Sequence, residues 1–234
     1  MTDPSSLPIT RLPRTSHITM KRLQSLGIHT YFDLLHYFPF RYEDYTKIVT
    51  LKDIVDQGLF SGDDQKNQQG LTVFVKIVSF RNVITRQRKW IQKVECSDGK
   101  QTVELVWFNQ PYLRNIFKPG INIALSGYMR QTNEAYTFQP SEYEVIEGDR
   151  ELLHTGRLVP VYPQIRGLSS KTIREKMWHV LQECGKYIPE ILPDVLLNKY
   201  SLVPENTAYP CIHFPAHQED ISTSKRRLAF DELF

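Results

Sequence analysis

TVELVWFNQPYLRNIFKPG, Thr102 to Gly120, changes its periodicity halfway along, and the change carries most of the fold. In TVELVWF, Val103, Leu105 and Trp107 share one face and Thr102, Glu104, Val106 and Phe108 share the other, which is the alternation of a half-buried strand. Trp107 lies on the all-apolar face, so it is assigned to the core. From Asn109 the pattern is helical: Asn109 stands as a cap, Pro111 suits the first turn, Leu113, Ile116 and Phe117 form an apolar face, and Pro119-Gly120 ends the element. Phe108 and Tyr112 flank that junction on the side away from the core. They either cover the rim of the fold or stack on a ligand, and periodicity alone leaves both open.

Leu71, Val73, Val75 and Ile77 alternate with Thr72, Phe74 and Lys76. Strand patterns recur at about Trp90–Ser97, Asn122–Met129 and Ala135–Val145. Three strands, a short helix and two more strands is the order of an OB barrel, a scaffold often used for single strands and oligonucleotides. The expected fold class is therefore α+β, with a five-stranded OB barrel flanked by an N-terminal helical hairpin and a C-terminal helical linker. The expected divisions are residues 1–48 for the helical unit, 49–69 for a linker, 70–148 for the barrel, and 149–234 for linker and helices.

The N-terminal helices follow from Met20, Leu23 and Leu26 and from Phe32, Leu35 and Tyr37, joined at Gly27, with Thr30 as a cap and Pro39 as a stop. DQGLFSGDDQKNQQG, Asp56 to Gly70, reads as an exposed loop. Toward the C-terminus, Ile173, Met177, Val180, Leu181 and Cys184 recur at helical spacing after Ser169 or Ser170, with Gly185 beyond the end. A further helix is expected after Pro193, and residues from about Glu219 are expected to be weakly held.

The chain has 234 residues, 24% of them charged, and a formal net charge of +3, so the distribution of charge says more than its sum. RNVITRQRKWIQK, Arg81 to Lys93, holds Arg81, Arg86, Arg88, Lys89 and Lys93 with no acidic residue, at the turn between the first two barrel strands. Such a hairpin can grip phosphates without reading sequence. The polar start is no signal peptide and the apolar runs are too short to cross a bilayer, so a cytoplasmic protein is expected. Cys96, Cys184 and Cys211 are odd in number and far apart, which points to reduced, buried thiols. Cys211, His213 and His217 lack a fourth partner, so no metal is assigned. Glu142 and Glu144 read as a solvated face, and no nucleophilic triad is present.

Four separated stretches carry a family resemblance: LGIHTYFDLLHYFPFRYED (Leu26–Asp44), SDGKQTVELVWFNQPYL (Ser97–Leu113), PVYPQIRGLSSKTIR (Pro160–Arg174), and IHFP with RRLAFDELF (Ile212–Pro215, Arg226–Phe234). In this order they resemble the N-terminal part of bacterial RecG, the family of ATP-dependent helicases that remodel replication forks and Holliday junctions in repair and recombination. The resemblance implies that the barrel is a wedge at the branch point and that Phe108 and Tyr112 stack on unpaired bases there. It implies branched DNA as ligand and the family's own motor domains as partners, with a single-stranded DNA-binding protein as a further partner and a nucleoid-associated location.

The motor's ATP and magnesium would be held by a GxxxxGK[ST] loop and an acidic motif. Neither occurs in this chain, which is therefore expected to have no cofactor and no enzymatic activity alone. In LPRTSHITMKRL (Leu12–Leu23), Arg14 and Ser16 stand where the family has glycines. This puts a backbone phosphate site in doubt and leaves Arg14, Lys21 and Arg22 as side-chain contacts at most. The competing reading of the whole is a barrel that docks a protein partner or its own motor without binding DNA.

Overall fold

Residues 6–60, 70–85, 88–131 and 136–233 are described by the structure, a computed structural model. In chain order the elements are helices α1 (His17–Ser25) and α2 (Tyr31–Leu35), strands β1 (Arg41–Asp44) and β2 (Lys47–Ile48), helix α3 (Leu51–Phe60), strands β3 (Leu71–Ile84), β4 (Trp90–Ser97), β5 (Thr102–Phe108), β6 (Asn122–Gln131), β7 (Tyr136–Val145) and β8 (Leu158–Val161), then helices α4 (Ser170–Cys184), α5 (Asp194–Tyr200), α6 (Glu205–His213) and α7 (Gln218–Leu233). The chain divides into two compact units, Met1–Glu43 with Pro160–Phe234, and Asp44–Val159. Strands β1 and β8 pair as a two-stranded sheet.

The unit Asp44–Val159 has the OB order. Its strands run β5-β4-β3-β6-β7, antiparallel throughout, with β2 added parallel to β3. Strand β3 is long enough to serve two partners: Leu71–Lys76 pairs with β6, and Lys76–Ile84 with β4. A register shift between Ile77 and Ser79 bends it where it changes partner. A second shift lies at Ser126/Gly127 in β6. A Cβ at Gly127 would stand 2.1 Å from the Gln139 carbonyl oxygen, so only glycine lets β6 and β7 approach there. The core holds Val73, Val75, Ile77, Val94, Leu105, Trp107, Leu113, Phe117, Ile123 and Leu125 among others.

Two sequence readings change in this unit. The stretch from Asp56 was expected to be loop, yet α3 runs to Phe60 and puts Leu51 and Ile54 into the core. Its start is fixed by Thr50 and Asp53: the Thr50 N–H donates to Asp53 Oδ2 at 2.8 Å and the Asp53 N–H to Thr50 Oγ1 at 3.3 Å, a reciprocal cap. Residues 61–69 lie outside the described residues. Glu144 is buried instead of solvated. Its two oxygens accept the backbone N–H groups of Leu153 and His154, each at 2.9 Å, and so hold the segment that leaves the barrel.

In the other unit the expected caps are present. Thr30 and Asp33 form a capping box at α2, Gly27 takes φ +80 after α1, and Ser169 accepts from the Thr172 N–H at α4. Ile173, Met177, Val180, Leu181 and Cys184 are buried along α4. The last residues depart from the expectation of a weakly held tail. Helix α7 buries Ile221, Ser224 and Arg227, and the Arg227 guanidinium pairs with Glu190 and Asp231. No helix among the described residues is long and apolar enough to cross a membrane.

Candidate nucleic-acid interface

The end of β5 sorts its two aromatics as alternation requires. Trp107 is 4% exposed and meets Phe117 edge-on at 5.3 Å between ring centroids, inside the core. Phe108, one residue on, is 57% exposed, and Tyr112 is 53% exposed. The chain turns between them because Asn109 takes φ +56, a left-handed conformation that asparagine tolerates better than most side chains. Asn109 therefore makes the turn, and Gln110 takes the capping position of a 3-10 segment, Pro111–Asn115, with no side-chain cap bond. Leu113 and Phe117 are buried beneath that segment, which leaves Tyr112 on its outer side.

A buried amide holds this turn. Gln92 has no exposure, its Nε2 donates to Asn82 Oδ1 at 3.0 Å, and its Oε1 accepts the Gln110 N–H at 2.9 Å. The Gln110 side chain then accepts from the Tyr112 hydroxyl at 2.8 Å. One chain of bonds thus runs from β3 through β4 to Tyr112 and limits how far that ring can swing. A lone glutamine in a strand carries no marker in sequence, so this anchor was not legible there.

The basic residues separate into two groups. Lys93 Nζ lies 2.7 Å from one oxygen of Glu104, and Arg81 Nη2 lies 3.1 Å from the other and 3.6 Å from Glu95. The hydrogen bond from Lys93 is the main reason the Glu104 carboxyl is held below its ordinary range. Read as one segment, Arg81 to Lys93 looked free of acidic residues. The neighbouring strand and the far end of β4 supply them. Arg88 and Lys89 are exposed at the hairpin tip, and no carboxylate among the described residues forms an ion pair with them. The tip is closed by the Lys89 N–H bonding to Thr85 Oγ1 at 3.0 Å and by the Arg88 N–H bonding to the Thr85 carbonyl at 2.9 Å. Arg86 lies outside the described residues. Arg114, two residues past Tyr112, is a further exposed cation that the strand-based reading passed over.

The strand order is that of an OB barrel, with Phe108 exposed at the end of β5, Tyr112 exposed on the segment after it, and Arg88 and Lys89 exposed at the β3–β4 hairpin tip. The family model described as the RecG wedge domain matches residues 14–183. The chain belongs to the RecG wedge-domain family. It is 32% identical over 216 residues to the ATP-dependent DNA helicase RecG of Thermotoga maritima, covering 92% of this chain and 26% of that protein. It is 27% identical over 242 residues to RecG of Synechocystis sp., covering 97% and 28%. A solved structure of RecG bound to a three-way DNA junction is similar with a TM-score of 0.73 and 28% identity, over 97% of this chain and 30% of that one. The chain thus spans less than a third of the length of these RecG proteins.

The N-terminal turn of this wedge-family chain is built differently from a phosphate loop. Arg14 takes φ +49, the conformation a glycine would adopt freely. The carbonyls of Pro13 and Arg14 accept from Lys176 Nζ at 2.9 and 3.1 Å, and Arg22 donates to the Gly167 carbonyl. Lys176 and Arg22 are therefore engaged in holding this unit together.

His213 is likewise structural. It is fully buried, its Nδ1 accepts from the Tyr162 hydroxyl at 2.9 Å, its Nε2 donates to the Leu35 carbonyl at 2.8 Å, and burial holds its pKa down at about 4. No group of His, Cys, Asp or Glu among the described residues could hold a metal ion. The three cysteines are free, and burial pushes the Cys96 thiol up to about 12.

Proposed function

We propose that this chain is the branch-recognition part of a RecG-type DNA helicase, and that it binds forks and four-way junctions by stacking unpaired bases on Phe108 and Tyr112. The observation that carries the reading is the contrast at the end of β5: Trp107 is buried while Phe108 and Tyr112 stand more than half exposed, in a chain of the RecG wedge family. Exposing two aromatics forgoes burial worth about 1.5–3 kcal/mol per large apolar side chain, part of which stacking on a ligand would recover. A base offers a π-face to each, at about 1–3 kcal/mol per stacked base. Neither ring reads base identity, so selectivity is for branched shape.

Arg88 and Lys89 supply phosphate contacts in this reading, with Arg86 as a third. Arg81 and Lys93 contribute less because Glu104 already neutralises them in part. Strand separation itself is assigned to the ATP-driven motor of the whole helicase, because this sequence has no GxxxxGK[ST] loop to cradle a nucleotide. The motor domains and a single-stranded DNA-binding protein are proposed partners of that larger assembly.

A protein-docking role would use the same residue types, since aromatic and arginine side chains also dominate protein hot spots. Salt separates the two. Fluorescence anisotropy of a labelled fork, titrated with the chain at several salt concentrations, should show an affinity that falls log-linearly, with a slope of about 0.7–0.9 per phosphate contact. No binding to a fork or a four-way junction even at low salt would reject the DNA reading and leave the docking scaffold.

A further inference from the structure

Trp90 opens β4 immediately after Arg88 and Lys89, and neither the motif nor the strand reading gave it a role. Along β4, Gln92, Val94 and Cys96 are buried, and Trp90 stands on the same face by alternation, yet it is 39% exposed because the sheet ends there. Its backbone is fixed: the Asn109 N–H donates to the Trp90 carbonyl at 2.8 Å, and the Trp90 N–H donates to Asn109 Oδ1 at 3.3 Å. The register places Ile84 opposite Trp90, and Val83 and Phe108 on either side of Ile91.

The sheet end is therefore apolar on both faces, with Val83, Ile91 and Phe108 on one and Ile84 and Trp90 on the other. Ile84, Val83 and Phe108 are all exposed. Apolar residues grouped on both sides of one sheet end form a surface that a two-sided occupant would cover.

Resting on the function proposed above, we infer that Trp90 is a second stacking surface, which takes an unpaired base on the opposite side of the sheet end from Phe108. Side chains on the two faces of one sheet have the sheet's backbone between them. Bases stacked on Phe108 and on Trp90 therefore have the sheet between them and cannot pair with each other. The sheet end then acts as a blade, comparable in principle to apolar wedges inserted between base steps. Charge complementarity supports nucleic acid as the occupant, because Arg88 and Lys89 precede the indole without an acidic partner among the described residues. A protein partner docking on one face would leave the other exposed.

Tryptophan emission tests this directly, because the other two indoles are placed differently: Trp107 is in the core, and Trp178 packs edge-on against Phe214 at 5.0 Å in the other unit. The 234-residue chain is titrated with a fork and with a linear duplex, following both emission and anisotropy, as wild type, Trp90→Phe, Trp90→Ala and the pair Phe108→Ala with Tyr112→Ala. The fork should quench wild-type emission, and most of the quench should vanish in Trp90→Phe, which retains fork affinity. Trp90→Ala should weaken the fork at least about 5-fold relative to duplex, the lower end of one lost stacking contact. A fork preference that depends on Phe108 and Tyr112 but survives Trp90→Ala, with the quench persisting in Trp90→Phe, overturns this inference alone. A wild type that shows no preference for the fork overturns the proposed function and this inference with it.

Discussion

The Lys93 ammonium sits 2.7 Å from Glu104 across the β4–β5 pair, and Arg81 reaches the other oxygen of the same carboxylate from β3. Glu104 therefore masks the two cations at the base of the hairpin and leaves those at its tip available. Glu104→Gln should tighten binding to fork and duplex by similar factors and steepen the salt dependence by up to about 0.9 per cation released. Anisotropy at three or more salt concentrations gives both quantities, and an unchanged slope would show that Arg81 and Lys93 do not face DNA. The masking is present at neutral pH, since the carboxyl is held below its ordinary range, and it is lost only as pH falls through that lowered value.

Adjacent aromatics should differ sharply in stability cost. Trp107→Ala removes a ring packed on Phe117 and should cost about 3–5 kcal/mol in urea unfolding of the barrel. Phe108→Ala should stay within about 0.5 kcal/mol, as expected of a surface substitution. Comparable losses at both positions would mean that Phe108 is a packing residue and would remove the argument from its exposure.

Glu144 accepts the backbone N–H groups of Leu153 and His154, one on each carboxylate oxygen. Glu144→Gln leaves one carbonyl acceptor and turns an NH₂ toward a backbone donor. A loss of about 1–3 kcal/mol is expected, together with faster amide exchange at Leu153 and His154. Exchange that stays slow would show that the segment is held by other contacts.

His213 links stability to pH. Its folded pKa, about 4, lies below the ordinary 6.5, so the unfolded chain binds the proton more readily. The contribution is fully present above pH 6.5 and is lost as pH falls toward 4, at a slope of up to roughly 1.4 kcal/mol per pH unit. Thermal unfolding should show a drop in Tm between pH 6.5 and 4.5 that shrinks in His213→Gln. An identical drop in both proteins would place the acid sensitivity elsewhere.

Much of the barrel was readable because alternation, caps and turn residues are local signals. The spans of β4 and β5 follow from period two, and the starts of α2 and α4 from Thr30 and Ser169. Local signals also misled. Gln and Gly after Asp56 outweighed the Thr50-x-x-Asp53 cap and the Leu51 and Ile54 pair, so α3 was missed.

Partners distant in sequence were invisible. Glu104 and Glu95 neutralise Arg81 across strands, Glu144 is buried by a segment that follows it, and Arg227 in a charge-rich helix is buried because Glu190, 37 residues earlier, meets it. Trp90 escaped notice because its exposure depends on where the sheet ends, which strand alternation does not encode. The left-handed turn at Asn109, which separates Phe108 from Tyr112, was read as a helix cap because asparagine serves both uses.

In the proposed function, Phe108 and Tyr112 confer preference for a branch. Its most direct test compares the affinity of the chain for a model fork and for a linear duplex of equal length at one salt concentration, in wild type and in Phe108→Ala with Tyr112→Ala. The expected result is a fork preference in the wild type that collapses in the double variant while duplex affinity stays nearly constant, since the phosphate contacts are untouched. A fork-to-duplex ratio that is the same in both proteins would contradict the account.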